Sequence, residues 1–405
     1  MASTALDEIK ANPDKWGIAT HVGSLSTSII REILKISSQP GVISFAGGLP
    51  APEMFPVEDL KEAAVSVIDE FQSTALQYSL SMGIPLLREA IAERESKKGI
   101  KTTAENILIT SGSQQAIDIL ARAFLDPGDY IICEYPTYVG AMQAMNFYQI
   151  KYAPVEMDHD GMLVEQVEAA IKKYKPKFIY TVATFQNPTG ITMNLERRKA
   201  LIEIAGRYNV PIVDDNPYGD IRFSGEKLPD LKALGGDGVI SLGTFSKICA
   251  PGLRTAWING PEKVMRTFEK VKQGTDLHSN TFAQYLLNHY IRSGKLDKQI
   301  PKLIKDYGSK RNRMLEEIDR HFPKEIKTTR PEGGLFLWGE MPKNMSGKKL
   351  LEKAIAKKVA YVYGSPFYPD GKNDNTFRLN FSNASLENIS EGIKRLGEVF
   401  TENLQ

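Results

Sequence analysis

The sequence predicts an α/β protein: a large domain with a mostly parallel central sheet, and a smaller α+β domain beside it. Three observations predict this fold class. Short apolar, β-branched runs alternate with longer helical patterns through the middle of the chain. These runs are hydrophobic almost throughout, as expected for strands that are buried on both faces and joined by crossover helices. The chain of 405 residues is also longer than a single core usually grows, which favours two domains.

The predicted strands of the large domain lie at 107–109, 130–133, 178–182, 211–213, 239–242 and 255–258. From residue 309 the pattern changes to a charged helix, the strand-like GGLFLW, a helix at 348–357, strands near 359 and 377, and a final helix from 386. The helix-like SIIREILKI and the Gly/Pro-rich ISFAGGLPAPEMFP precede the large domain. We predict an N-terminal segment at 1–59 that packs with the small domain, a large domain at 60–295 and a small domain at 296–405.

Charge and composition argue against several classes of function. Fifty-one Lys and Arg against 49 Asp and Glu leave a formal charge of +2, so no basic surface for nucleic acid or anionic membrane is expected. No run reaches the roughly eighteen apolar residues of a membrane-spanning helix. The first residues, MASTALDEIKANPDKW, lack the basic start and apolar core of a signal peptide. The two cysteines, Cys133 and Cys249, are expected to be thiols in a reducing cytoplasm.

The segment SLGTFSKICAPGLR at 241–254 places a lysine at the end of a predicted strand. The strand runs into Thr244, Ser246 and Lys247, and Arg254 follows. Strand ends are where α/β proteins bind ligands. A lysine there can form an imine with a carbonyl cofactor, while the hydroxyls and the guanidinium can hold a phosphate. The alternative is a surface loop with an ordinary lysine.

The segment VDDNPYGD at 213–220 follows a buried strand and contains Asp215 and Tyr218. A carboxylate beside a pyridine nitrogen keeps that nitrogen protonated, and the ring can then stabilise a carbanion at the substrate carbon. Asp214 or Asp215 could equally be a metal ligand or a turn residue. None of the five histidines shows metal-ligand spacing, so no metal site is predicted.

A third segment, TSGSQQAIDILARAF at 110–124, is a strand-to-helix turn. Gly112, Ser113 and Gln114 open the helix. The free amides and the dipole of a helix N-terminus suit a phosphate. Ordinary N-capping explains the same residues nearly as well.

Two further segments follow predicted strands. In ATFQNPTG at 183–190, the amide of Asn187 could donate to a phenolic oxygen, and a bare turn is the alternative. In EYPTYVG at 134–140, Tyr138 could stack on a flat cofactor, and a core tyrosine is the alternative.

Together these segments resemble the class I aminotransferases of the type I pyridoxal-phosphate fold. The resemblance spans nearly the whole chain, and its specificity comes from the order of Asn187 with PTG, Asp215 with Tyr218, Ser246 with Lys247, and Arg254. The segments ISFAGGLPAP, LQYSLSMGIPLLREAI, SGSQQAIDIL, RPEGGLFLW and FRLNFS are similar to the subgroup containing 2-aminoadipate and kynurenine aminotransferases. The resemblance implies pyridoxal 5′-phosphate as cofactor and a homodimer with the active site at the subunit interface.

The resemblance also implies a role for each candidate residue. Lys247 is expected to carry the cofactor as a Schiff base and to act as the catalytic base, with Asp215 on the pyridine nitrogen. Arg378, in FRLNFS, is expected to clamp the substrate carboxylate, with Gly48 adding a backbone amide. Tyr218 and Asn187 are expected to bind the ring oxygen of the cofactor, and Tyr138 to stack on the ring. The phosphate is expected to be bound by Ser113, Gln114, Ser246, Arg254, the weaker candidate Thr244, and Tyr78 of the neighbouring subunit.

Substrate choice depends on a single candidate residue. Arg31, in SIIREIL, resembles the arginine that the N-terminal helix of bacterial 2-aminoadipate aminotransferases supplies to a distal carboxylate, and an exposed helix arginine is the alternative. If Arg31 points inward, 2-aminoadipate and glutamate fit by charge pairing, whereas leucine or aromatic substrates need that helix to move. We expect broad acceptance of L-amino acids, with 2-oxoglutarate as amino acceptor.

Two competing functions use the same scaffold. Lyases, racemases and decarboxylases share its lysine and aspartate, and Arg378 with a second arginine favours transamination over them. Some ligand-sensing transcription regulators carry an aminotransferase-like domain after a DNA-binding domain. The roughly forty residues before ISFAGG are too few for such a domain, so this function is not expected.

Overall fold

The computed structural model describes residues 16–19, 22 and 40–404. Arg31 and the rest of the predicted helix SIIREILKI therefore lie outside the described residues. The helices are α1 Val57–Phe71, α2 Pro85–Ser96, α3 Ser113–Phe124, α4 Val139–Asn146, α5 Val164–Tyr174, α6 Leu195–Arg207, α7 Leu231–Gly235, α8 Glu262–Gln273, α9 Thr281–Arg292, α10 Lys295–His321, α11 Gly347–Ala356 and α12 Leu386–Glu402.

The strands are β1 Ile43–Ser44, β2 Ile107–Thr110, β3 Tyr130–Tyr135, β4 Lys151–Asp158, β5 Gly161–Met162, β6 Ile179–Thr181, β7 Ile212–Asp215, β8 Val239–Thr244, β9 Ala256–Asn259, β10 Lys327–Thr328, β11 Phe336–Glu340, β12 Val359–Ala360, β13 Val362–Tyr363 and β14 Thr376–Asn380. Short 3-10 helices lie at Pro52–Met54, Gln72–Leu76, Ala104–Asn106, Gly236–Gly238, Pro251–Leu253 and Ser365–Phe367.

The large sheet has eight strands in the order β2-β9-β8-β7-β6-β3-β4-β5. The five strands β8, β7, β6, β3 and β4 run parallel, and β9 and β5 are antiparallel to their neighbours. Every residue of β2, β6, β7, β8 and β9 is buried, which explains their continuous hydrophobicity. The predicted α/β fold with a mostly parallel sheet is confirmed.

The sequence analysis missed β4, which lies near one edge of this sheet. Its residues alternate between exposed or half-buried and buried positions, and its outer neighbour β5 has only two residues. A strand that is half exposed carries charged and polar residues at alternate positions. The segment KYAPVEMD therefore lacks the continuous apolar run by which the inner strands were found.

The C-terminal part forms a second, antiparallel sheet in the order β10-β11-β14-β13. The helices α10 and α12 contact each other, and Phe400 of α12 packs against Phe377 of β14. The segment before α1 joins this part because β1 pairs in parallel with β12. The packing of residues 1–59 with the small domain and the division into 1–59, 60–295 and 296–405 stay predictions. No helix among the described residues is long and apolar enough to cross a membrane.

Candidate active site

A cavity of about 270 Å³ lies where β3, β6, β7 and β8 end, between the large sheet and the antiparallel sheet. Most of the residues predicted from the sequence line it together, although their segments are far apart in the chain. The structure adds Val182, Pro217, Pro251 and Phe336 to its wall. The predicted residues that line the cavity are Gly48, Ser113, Gln114, Tyr138, Asn187, Asp215, Tyr218, Thr244, Ser246, Lys247, Arg254 and Arg378.

Lys247 follows the C-terminal end of β8, and its Nζ donates to the carbonyl oxygen of Gly48 at 2.8 Å. Burial, and then the positive charges of Arg378 and Arg254, lower the pKa of Lys247 from 10.5 to about 8. A lysine with this pKa has an appreciable neutral, nucleophilic fraction near neutral pH. The Gly48 carbonyl makes this contact because an ammonium group needs an acceptor, and the predicted contact of the Gly48 amide to the substrate carboxylate stays a prediction.

Asp215 is the last residue of β7 and is 3% exposed. Its Oδ2 accepts a hydrogen bond from the Tyr180 hydroxyl at 2.7 Å, whereas its buried Oδ1 has no partner among the described residues. Burial raises the pKa of Asp215 from 3.8 to about 6, and the bond from Tyr180 opposes that rise. A buried acceptor without a donor is costly, so a ligand that brings a donor to Oδ1 is favoured.

Arg378 on β14 is 2% exposed. One of its terminal nitrogens donates to Asn187 Oδ1 at 2.9 Å and the other to the carbonyl of Ala46 at 2.8 Å. The guanidinium lies 4.2 Å and 5.0 Å from the ring centres of Phe336 and Phe367. Burial lowers its pKa to about 10, so it stays charged at neutral pH. These contacts hold a cation in a fixed orientation beside the cavity.

An anion site forms where β2 passes into α3. Gly112 has φ +85°, and a Cβ there would lie 2.2 Å from a terminal nitrogen of Arg254, so that guanidinium lies against the start of the helix. The Oγ of Ser113 is buried without a partner, and Ser246 Oγ accepts from Thr244 Oγ1 at 3.0 Å. The first-turn amides of α3 add further donors, as expected for a phosphate site.

The aromatic wall includes Tyr138 and Tyr218. Burial raises the pKa of Tyr138 to about 12 and that of Tyr218 further, so both hydroxyls remain protonated. Tyr138 lies over Gly140, where a Cβ would be 2.4 Å from its hydroxyl. The side-chain nitrogen of Gln114 donates to the Gly140 carbonyl at 2.8 Å. In this arrangement the Gln114 amide nitrogen holds the start of α4, and its predicted contact to a phosphate stays a prediction.

Tyr78 does not line this cavity within the described chain. Tyr78 is 79% exposed, and its ring lies edge-on to His278 at 5.6 Å in a separate surface hollow. Its predicted phosphate contact therefore depends on a second subunit. Arg31 lies outside the described residues.

Sequence analysis missed Tyr180 and Phe336. Strand pairing offers a signal for Tyr180: it is paired with Val213, and residues two apart on a strand share a face, so Tyr180 and Asp215 lie on the same side of the sheet. Phe336 lies in GGLFLW, a run that reads as an ordinary buried strand. Nothing in that pattern distinguishes a cavity wall from the core.

The cavity therefore combines a nucleophilic lysine, an unpartnered carboxylate oxygen, an anion site and a buried guanidinium. These groups fit an aldehyde cofactor that carries a basic ring nitrogen and a phosphate, bound beside a substrate carboxylate. The unpartnered atoms Asp215 Oδ1, Ser113 Oγ and Arg378 Nε are an acceptor, a hydroxyl and a cationic donor, as those three ligand groups require.

Comparison with known proteins agrees with this class of site. The family model for aminotransferase class I and II matches residues 42–396. Aromatic-amino-acid aminotransferase 1 of Thermococcus litoralis is 45% identical over 388 residues, which cover 94% of this chain and 93% of that protein.

Two solved structures are similar over nearly their whole length. Kynurenine aminotransferase of Pyrococcus horikoshii, in complex with PMP, is 42% identical with a TM-score of 0.94, covering 98% of this chain and 100% of that one. An alpha-aminoadipate aminotransferase of Thermus thermophilus, complexed with N-(5′-phosphopyridoxyl)-L-leucine, is 36% identical with a TM-score of 0.89, covering 96% and 98%.

The chain belongs to the class I and II aminotransferase family. It is a pyridoxal-phosphate-dependent enzyme of the type I fold that transfers an amino group between an amino acid and a 2-oxo acid.

Proposed function

We propose that the enzyme transfers the amino group of a broad set of L-amino acids, including 2-aminoadipate, glutamate, aromatic and branched-chain amino acids, to 2-oxoglutarate. The observation that carries the proposal is the placement of Lys247, Asp215 and Arg378 around one cavity. Relatives named for aromatic, 2-aminoadipate and kynurenine substrates support the breadth.

Each of these three residues has a distinct task in the proposal. When bound, pyridoxal phosphate supplies an aldehyde that takes up the amino group and a ring that withdraws electrons from the substrate carbon. Lys247 holds the cofactor and, once released by the substrate amine, moves the proton at the substrate α-carbon. Asp215 keeps the ring nitrogen protonated through Oδ1, and Arg378 with Asn187 orients the substrate carboxylate.

The other predicted residues fix the cofactor in this proposal. Ser113, Gln114, Ser246 and Arg254 bind the phosphate, and Thr244 acts through its contact to Ser246. Tyr138 stacks on the ring, while Tyr218 and Asn187 bind the ring oxygen. Tyr218 is suited to this task because it is buried, protonated and close enough to Asn187 for their side chains to hydrogen bond.

Recognition of an acidic side chain is proposed for Arg31. The described part of the cavity wall has three cations, Lys247, Arg254 and Arg378, and each already has a task. A second substrate carboxylate therefore needs another cation. If Arg31 supplies it, Arg31→Ala should lower kcat/KM for 2-aminoadipate by about 10-fold or more while leaving that for phenylalanine nearly unchanged. Equal losses for both substrates would contradict the assignment.

We also propose a homodimer in which Tyr78 reaches the phosphate of the neighbouring subunit. The exposed Tyr78, with Leu76 and Leu80 exposed beside it, is the kind of apolar surface that a subunit contact buries. Mixing refolded Tyr78→Ala and Lys247→Ala subunits tests this: one site of each mixed dimer is then intact and activity returns. If each site is built from one subunit alone, mixing restores no intact site. The activity of the mixture would then not exceed that of the Tyr78→Ala variant by itself.

The setting proposed for the enzyme is the cytoplasm, without nucleic-acid or membrane partners. Its support is the nearly balanced charge together with two cysteines that are free and buried. The division into domains at 1–59, 60–295 and 296–405 is part of the same proposal.

The decisive test is an absorbance spectrum of the purified protein supplied with pyridoxal phosphate, beside a Lys247→Ala variant. We expect visible absorbance from the lysine-bound cofactor in the wild type alone. An amino acid should remove it with release of the matching 2-oxo acid, and 2-oxoglutarate should restore it. Release of pyruvate and ammonia would indicate a lyase, and loss of optical activity without a 2-oxo acid would indicate a racemase.

A further inference from the structure

The two oxygens of the Asp215 carboxyl group have different surroundings. Oδ2 accepts from the Tyr180 hydroxyl at 2.7 Å, and Oδ1 is buried without a partner at the cavity that Asp215 lines. Tyr180 does not line that cavity. It therefore contacts the carboxylate from the protein side and leaves the other oxygen for a ligand.

Strand geometry fixes this contact. Tyr180 on β6 pairs with Val213 on the adjacent parallel strand β7, and Asp215 is the next residue of β7 on the same face. The Tyr180 side chain is 1% exposed and belongs to the hydrophobic core. Its ring therefore has little freedom to leave the carboxylate, and the hydroxyl has no access to bulk water as an alternative partner.

We propose that Tyr180 is a positioning residue for the transamination reaction, one that orients Asp215 Oδ1 toward the ring nitrogen of the cofactor and keeps that carboxyl group ionised. This inference rests on the proposed role of Asp215. A donor on Oδ2 stabilises the charged form of the carboxylate and lowers its basicity. The proton between Oδ1 and the ring nitrogen then stays on the nitrogen, where it increases the electron withdrawal that the reaction needs.

Tyr180 can act only as a donor in this contact. Burial, and then the charge of Asp215, raise the pKa of Tyr180 well above 10, so the phenol keeps its proton at any working pH. Other titratable groups coupled by charge to Asp215 or Tyr180 are Asp214, Glu134, Tyr138 and Tyr218. Among the described residues, none of these makes a hydrogen bond to the Asp215 carboxylate, so Tyr180 is the group whose removal should change its basicity most.

The test measures the ring nitrogen itself. Wild-type holoenzyme, Tyr180→Phe and Asp215→Asn are each loaded with pyridoxal phosphate labelled with ¹⁵N in the ring, and the ¹⁵N chemical shift is followed as pH is raised. While the pair of carboxyl group and ring nitrogen holds one proton, we expect that proton to lie on the nitrogen in the wild type. In Tyr180→Phe the more basic carboxylate should compete for it, so the ratio of protonated to neutral nitrogen should fall about 10-fold and the ¹⁵N shift should move toward the neutral value.

Asp215→Asn provides the limiting case. The Tyr180 hydroxyl then donates to the amide oxygen, which turns the amide nitrogen toward the ring, and an N–H donor there favours an unprotonated ring nitrogen. Tyr290→Phe is the matched control, because Tyr290 is fully buried and its hydroxyl has no hydrogen-bond partner among the described residues. The ¹⁵N shift of this variant should equal that of the wild type.

A second measurement covers the possibility that Tyr180→Phe disturbs the fold. Replacing Tyr180 by 3-fluorotyrosine keeps the shape and makes the phenol a stronger donor, so the nitrogen should stay protonated as in the wild type. A shift toward the neutral value in Tyr180→Phe but not with 3-fluorotyrosine supports the proposal. If both match the wild type while Asp215→Asn has a neutral nitrogen, Tyr180 has no such role but the role of Asp215 stands. A neutral ring nitrogen in the wild type would overturn both.

Discussion

The pKa of Lys247 leads to a quantitative prediction about cofactor capture. Burial, Arg378 and Arg254 lower this pKa from 10.5 to about 8. Only the neutral amine attacks an aldehyde. At pH 8 about half of the Lys247 side chains are neutral, compared with about one in 300 for a lysine whose pKa is 10.5. The structure thus gives Lys247 roughly a 150-fold advantage in reactive amine at that pH.

The assay mixes apoprotein with pyridoxal phosphate in a stopped-flow instrument and follows the absorbance of the lysine-bound cofactor from about pH 6 to pH 10. The rate of capture should rise about 10-fold per pH unit below pH 8 and level off above it, because the neutral fraction then saturates. Lys247→Ala should bind the cofactor without this absorbance change.

The contribution of the neighbouring guanidinium charges to the pKa of Lys247 can be tested separately. Arg378→Gln removes one of the two guanidinium groups that disfavour the ammonium form of Lys247, so the midpoint should move to higher pH. Arg222, whose guanidinium is held by Glu332 away from the cavity, offers a matched substitution, Arg222→Gln, that should leave the midpoint in place. A wild-type rate that keeps rising 10-fold per unit to pH 10 would refute the reasoning.

Three further predictions concern the phosphate site, the substrate carboxylate and stability. Gly112→Ala should cost about 1–3 kcal/mol of folding stability because of its positive φ, and should weaken cofactor binding by displacing Arg254; thermal melts and cofactor titration measure the two effects. Arg378→Lys should lower kcat/KM about 10- to 100-fold by loss of bidentate geometry, with cofactor absorbance unchanged. Burial raises the pKa of Glu134 to about 7, so the protonated carboxyl stabilises the fold below about pH 4.5 and this stability is lost as the pH rises to about 7. In urea unfolding of the apoprotein, the free energy of unfolding of Glu134→Gln should therefore fall by about 3 kcal/mol less than that of the wild type over this pH range.

For each of these three predictions, one result would contradict it. Unchanged cofactor affinity in Gly112→Ala would mean that Arg254 does not act at the phosphate. Loss of cofactor absorbance in Arg378→Lys would assign that residue to the cofactor instead of the substrate. Parallel pH curves for wild-type and Glu134→Gln apoprotein would show that the carboxyl is not buried as the structure places it.

The inner strands could be predicted from the sequence because burial on both faces leaves a continuous apolar run. The strand at 239–242, for example, is observed as Val239–Thr244 with every residue buried. β4 could not be found in this way because its exposed positions carry Lys151, Glu156 and Pro154. The local sequence pattern depends on how many faces of a strand are buried. The sequence of a strand near a sheet edge, with only one buried face, therefore resembles that of a polar loop.

The candidate site could be predicted as far as individual motifs go. Residues that follow strand ends, such as Asn187, Asp215 and Lys247, converge because the parallel strands end at one edge of the sheet. The contacts between those motifs could not be predicted from the sequence. That the Gln114 amide would bind the Gly140 carbonyl, or that Arg378 would bind Asn187, depends on how loops from different strands approach one another, and no spacing within the chain encodes that.

The pair Asp214 and Asp215 shows how strand register decides what local sequence leaves open. Both carboxyls are buried and adjacent, so composition and spacing cannot assign them, but successive residues of a strand point to opposite faces. Asp214 pairs with Thr181 on β6 and faces away from the cavity, where burial raises its pKa to about 7. Asp215 shares its face with Tyr180 and reaches the cavity. The residue that distinguishes the carboxylate at the cavity is therefore a tyrosine on the neighbouring strand, whose hydroxyl occupies one oxygen and leaves the other without a partner among the described residues.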